Sequence, residues 1–183
     1  MEVYIIIGIF ILIILLWIIM TYNKLVESRN KIRNQWSQVD VLLKMRFDLI
    51  PNIVETVKGY AIHEEQTLLA VIDARNSAIN SKTPEDEIKA DQELTNKLTK
   101  LMALCESYPE LKADSNFSKL QESLNDVENK IAYARQFYND SVLKYKNIIE
   151  KFPTLLIARM LGFKQEQFFE ITETEKENIK VKF

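Results

Sequence analysis

Residues 117–152 read FSKLQESLNDVENKIAYARQFYNDSVLKYKNIIEKF. Positions 117, 120, 124, 127, 131, 134, 138, 141, 145, 148 and 152 advance by threes and fours, and ten of these eleven are apolar, Ser141 being the exception. That is the spacing of one helix face, at the heptad period of a coiled-coil seam. A helix over this stretch is roughly 54 Å long. So long a seam must be covered by other helices. The composition agrees. Three Gly and four Pro in 183 residues supply too few turns for a many-stranded β fold. An apolar share of 47%, with 24 Lys+Arg against 26 Asp+Glu, is too apolar and too balanced for disorder. The net charge of −2 leaves no global basic footprint for nucleic acid. One Cys excludes a disulfide framework and a Cys-based zinc site.

A second seam lies upstream. Positions 22, 25, 29, 32, 36, 39, 43, 46 and 50 hold Tyr, Leu, Arg, Ile, Trp, Val, Leu, Arg and Ile, seven of nine apolar. Nothing breaks the pattern before Pro51, which cannot donate to the carbonyl of Phe47 and disfavours α at Ile50. A kink or break is expected there. A further stripe runs from Ile53 through Val57, Leu68 and Val71 to Ile79, with Gly59 inside it. Residues 80–83 form a linker, and Thr83-Pro84-Glu85-Asp86 has the chemistry of a helix start: N-cap, proline at the first position, acids in the first turn. The third helix carries Ile88, Leu94, Leu98, Leu101 and Cys105 and stops before Pro109. Beyond Pro153 comes an apolar patch, Leu155 to Phe163, and then a charged end. Long helices with short connections pack antiparallel. The expected fold is all-α: an N-terminal transmembrane helix followed by an elongated antiparallel bundle of three to four long helices.

The transmembrane helix is read from Val3 to Met20, VYIIIGIFILIILLWIIM, eighteen residues without a charge. They span ~27 Å, close to the ~30 Å hydrocarbon core. Tyr4 and Tyr22 bracket the run as interfacial aromatics, with Trp17 one turn inside. A cleaved signal peptide would need a basic n-region and a small-x-small site, and neither is present. Val3, Tyr4, Trp17, Met20 and Tyr22 are therefore assigned to an uncleaved anchor. Lys24, Arg29, Lys31 and Arg33 follow the span and no Lys or Arg precedes it. The positive-inside rule then puts the N-terminus outside and the bundle in the cytoplasm. The expected divisions are an anchor at 1–22, a helical-bundle domain at 23–171 and a charged tail at 172–183.

No motif assembles a reaction. His63 is the only imidazole, so a helical di-iron site, which needs Glu-x-x-His on two helices, is not available. HExxH is absent because position 67 is Thr. The bland reading of His63 is a polar side chain at a helix surface. Gly8, Gly59 and Gly162 are too far apart for a phosphate loop. Cys105 sits on the apolar stripe of its helix and reads as a small core residue. No metal, cofactor or small-molecule substrate is assigned. Two features stand above this background. Residues 24–46 carry six cations against Glu27 and Asp40, a net +4, suited to anionic lipid and also explained as topology signal. Arg29 and Arg46 occupy seam positions, and a buried Arg needs a carboxylate or carbonyl; Asp40, Asp48, Asp126 and Glu128 are the candidates. Such a pair would set helix register.

The chain resembles the LemA family of bacterial membrane proteins. The likeness is carried by Tyr22-Asn23-Lys24-Leu25-Val26, by Trp36-Ser37-Gln38-Val39-Asp40-Val41, and most densely by the block RFDLIPNIVETVKGYAIHE from Arg46 to Glu64. It continues through Glu106 to Ala113, Val127 to Ala132, Phe152-Pro153 and Gly162-Phe163. The resemblance implies a single-pass anchor, an outside N-terminus and a long-helix bundle. It implies no reaction. Related proteins take part in building magnetosome membranes, and some members are encoded near membrane peptidases, so the resemblance points to a membrane-attached partner. Two functions compete. One is a membrane-tethered scaffold or adaptor that engages the lipid bilayer and other membrane or envelope proteins. The other is an enzyme with an unrecognised polar site around Asp48, Asn52 and His63, opened by the break at Pro51.

Overall fold

A computed structural model describes residues 1–169. The charged tail at 172–183 and the last two residues of the expected bundle domain lie outside the described residues. Within them every regular element is a helix: α1 (Glu2–Lys58), α2 (Glu65–Ile79), α3 (Pro84–Cys105), α4 (Pro109–Lys112), α5 (Ser115–Glu150) and α6 (Thr154–Met160). They form two compact units. One is Met1–Gln38 with Ala134–Phe168, and the other is Val39–Tyr133 with Phe169. Both α1 and α5 contribute to each.

The expected helix starts and stops are local chemistry. The Thr83 hydroxyl accepts from the Asp86 amide at 3.1 Å, and Pro84 opens α3. α5 begins where one Asp114 carboxylate oxygen accepts from the amides of Asn116 and Phe117, at 2.7 and 2.9 Å. Tyr60 donates to the other oxygen at 2.9 Å. The connection expected between α3 and α5 holds the one-turn helix α4, whose Leu111 is fully buried.

Pro51 does not break the first helix. α1 continues through it to Lys58, and Gly59, expected inside the next stripe, instead follows the helix end. The reason lies on α2. The carbonyl of Phe47, which Pro51 has no N–H to reach, accepts from Arg75 Nε at 2.7 Å. The side chain of Arg75 replaces the lost backbone donor, so the proline costs one bond and that bond is made elsewhere.

In the unit Met1–Gln38/Ala134–Phe168 the core forms between Leu25 and Ile32 of α1 and Tyr138, Val142, Tyr145 and Ile149 of α5. The Trp36 and Tyr138 rings meet edge-on at 5.4 Å, and the Tyr22 ring meets Phe163 at 6.1 Å. As the number falls along α1 it rises on the facing chain, so the pair is antiparallel. In the unit Val39–Tyr133, α1 buries Val39, Leu43, Ile50, Ile53 and Val57. The α5 seam buries Phe117, Leu124, Val127 and Ile131 within the same chain. α2 and α3 form an antiparallel hairpin, the start of one facing the end of the other.

Candidate functional site

The deepest polar feature of the second unit grows from Arg46. Its position in the α1 seam buries the guanidinium completely, with 0% of the residue exposed. A buried guanidinium is tolerable only if opposite charge meets it. Asp91 of α3, equally buried, forms an ion pair with Nη2. Nη1 donates to both carboxylate oxygens of Glu128 on α5, at 2.9 and 3.2 Å, and to the Thr95 hydroxyl of α3 at 3.2 Å. Thr95 in turn donates to the Asp91 carbonyl at 2.9 Å. One cation thus joins three helices. Glu128 was among the candidates; Asp91 was not. The signal was present, because Asp91 falls on the stripe running from Ile88 to Leu94 and Leu98, an acid where the pattern demands an apolar residue. Asp126 instead pairs with Lys130 one turn along its own helix, at 2.7 Å and exposed. Arg29, in the other unit, is half-buried with its guanidinium 5.0 Å from the centre of the Phe163 ring, a cation–π contact.

A second polar feature is a cavity of about 370 Å³ between α1, the end of α2 and the start of α3. Asp40, Lys44, Asp48 and Glu87 supply its charges, with Phe47 and Ile79 among its apolar walls. Burial, then the charge of Asp40 and a hydrogen bond to it, push the Glu87 carboxyl up to about 7. Neither Asn52 nor His63 lines this cavity. Asn52 is exposed on α1, its carbonyl accepting from the Thr56 hydroxyl at 2.8 Å, and His63 is exposed in the turn between α1 and α2. Cys105 is buried, and burial pushes its thiol up to about 11, away from nucleophile chemistry. Among the described residues no three His, Cys, Asp or Glu side chains are placed to hold a metal ion.

Glu87 sets a pH test. A glutamate titrates at 4.5 in the unfolded reference and at about 7 here, so between those values the fold keeps a proton the unfolded chain has released. Stability contributed by Glu87 is complete below 4.5 and is lost as pH rises through about 7. Glu87→Gln, which imitates the protonated form, should melt close to the parent in acid and above it in mild alkali. Parallel melting curves across that window would remove the shift.

Along α1, residues 3–20 are long and apolar enough to cross a membrane, and none of that stretch is buried by the rest of the chain. Val3, Tyr4, Trp17, Met20 and Tyr22 are all exposed. A long lipid-compatible helix that runs without interruption into a helical bundle defines a class, the membrane-associated helical proteins. Within it, residues 35–183 match the LemA family, and the chain belongs to that family. It is 25% identical over 178 residues to magnetosome protein MamQ of Magnetospirillum gryphiswaldense, covering 83% of this chain and 65% of that protein. A MamQ protein of Paramagnetospirillum magneticum is 24% identical, covering 84% and 66%. Protein LemA of Metamycoplasma hominis is 24% identical over 160 residues, covering 86% and 72%. The chain spans a little under two thirds of the length of the MamQ proteins it matches.

Proposed function

We propose that the protein is a membrane-tethered scaffold or adaptor of the bacterial envelope, acting through contacts with other membrane proteins and with the bilayer. The observation that carries this reading is the continuity of α1. The same helix that offers residues 3–20 to lipid supplies Arg46 to the three-helix junction, so the lipid-facing stretch and the junction belong to one element of the chain. The Arg46–Asp91–Glu128 contacts set helix register and hold that surface in one form. Val3, Tyr4, Trp17, Met20 and Tyr22 serve as anchor residues, and the Lys and Arg after the span orient the N-terminus outward and the bundle into the cytoplasm. Likeness to proteins named for the magnetosome supports work at a membrane.

The test is a biotin ligase fused after Phe183 of the full chain in its native bacterium. Because the ligase needs ATP, labelling reports a cytoplasmic bundle, and enrichment of a reproducible set of membrane proteins over an anchor-only control reports partners. No enrichment would defeat the adaptor. A second reading has one observation in its favour: a cavity carboxyl near neutrality, Glu87, is suited to general acid–base work. Loss of the in vivo role in Glu87→Gln, with the enriched set unchanged, would favour that reading.

A further inference from the structure

The apolar patch after α5 is used by neither the Arg46 junction nor the cavity. Residues 151–164, KFPTLLIARMLGFK, contain Lys151, Arg159 and Lys164 and no acid. Around α6 the side chains sort into two sets. Ile157 and Ala158 are buried, and Phe163 is half-buried beneath Arg29 and against Tyr22. Leu156 and Met160, one turn apart on a single face, point away, and Met160 is 85% exposed. Phe152 is 80% exposed, and Leu161 is half exposed.

The height of this patch is set by α1. Tyr22, the partner of Phe163, lies two residues beyond Met20, the last residue of the charge-free run. Two residues of helix rise only ~3 Å. The bilayer boundary that residues 3–20 define therefore falls at the level of Phe163. Four large apolar side chains exposed together beside three cations are costly in water. At the acyl–headgroup boundary the same composition is that of an interfacial segment, with apolar groups in the upper acyl region and cations among anionic headgroups.

We propose that residues 151–164 are a second membrane contact. Phe152, Leu156, Met160 and Leu161 enter the leaflet through which α1 leaves the bilayer, and Lys151, Arg159 and Lys164 meet anionic lipid headgroups. The contact rests on the reading of residues 3–20 as a span, and it fixes how the unit Met1–Gln38/Ala134–Phe168 faces the membrane.

Site-directed spin labels test it in the full chain, reconstituted in vesicles of phosphatidylethanolamine with phosphatidylglycerol. Labels are placed singly at Ile13→Cys in the span, Leu156→Cys, Met160→Cys, and Phe137→Cys on the exposed face of α5, the buried Cys105 being left in place. Collisions with oxygen report lipid, and collisions with a nickel chelate report water. The expected result is that positions 156 and 160 fall between 137 and 13, on the lipid side, with nickel collisions several-fold below those at 137. Nickel access at 156 and 160 equal to that at 137 would overturn the second contact while leaving the span intact. Shielding from both probes would overturn it in favour of a protein partner or a second copy. Nickel access at 13 would overturn the span, and the second contact with it.

Discussion

Asp91→Ala is expected to destabilise the fold by about 3–5 kcal/mol, as the loss of one partner of a buried ion pair does elsewhere. Arg46 cannot follow its lost partner into water, because it has no exposed surface and is held between α1, α3 and α5. What remains is a buried guanidinium that keeps the neutral Thr95 hydroxyl and Glu128, whose side chain is 33% exposed and whose attraction is partly screened by solvent. The opposite design is informative. Removing charge from both sides, with Arg46→Met and Asp91→Leu together, should recover most of the loss, since a well-packed apolar replacement of a buried pair is often neutral or better. Urea unfolding of the full chain in detergent, followed by helical circular dichroism, measures both. A single mutant within ~1 kcal/mol of the parent would mean the junction is hydrated.

The second large effect is on the α5 seam. Ile131 has no exposed surface, and truncation to Ala removes three carbons and leaves a void that packed helices close only in part. The expected cost is ~2–5 kcal/mol. Leu124→Ala should behave alike. Lys130→Ala is the control: its ion pair with Asp126 is exposed on both sides, and its loss should stay within ~0.5 kcal/mol. The seam of the second unit is buried within one chain, so the melting temperature should not climb with protein concentration. A climb would show that a second copy covers part of α5.

Much of the helical order was legible because its causes are local. The linker at 80–83, the Thr83 cap and the stop before Pro109 depend on side chains within a turn of the position they control. The seams were legible too, since periodic apolar residues report a buried face directly. Their far ends were less so. Phe152, the last position of the expected seam, lies past the end of α5 and is exposed, and within the helix burial has moved from Ile148 to Ile149. A straight helix drifts ~20° per heptad from a 3.5-residue repeat, and over five heptads the buried stripe shifts by a position.

What the sequence by itself determined was the class: an all-helical chain, an apolar stretch of bilayer length at 3–20, and Arg46 in need of a buried partner. These follow from composition, period and the cost of burying charge, none of which requires knowing which helix lies beside which. The tertiary structure decided the rest. Pro51 stays inside a helix because Arg75, 28 residues from Phe47, donates to the carbonyl that the proline leaves free. Arg46 finds Asp91 as well as Glu128 because α3 brings an acid from its own seam. Asn52 and His63 are exposed and line no part of the cavity of Asp48, and α1 carries on through Pro51 where a break was expected. Each outcome depends on a contact between residues distant in sequence, whose free energy overrides a local preference of one to a few kcal/mol, and no window along the chain contains both partners.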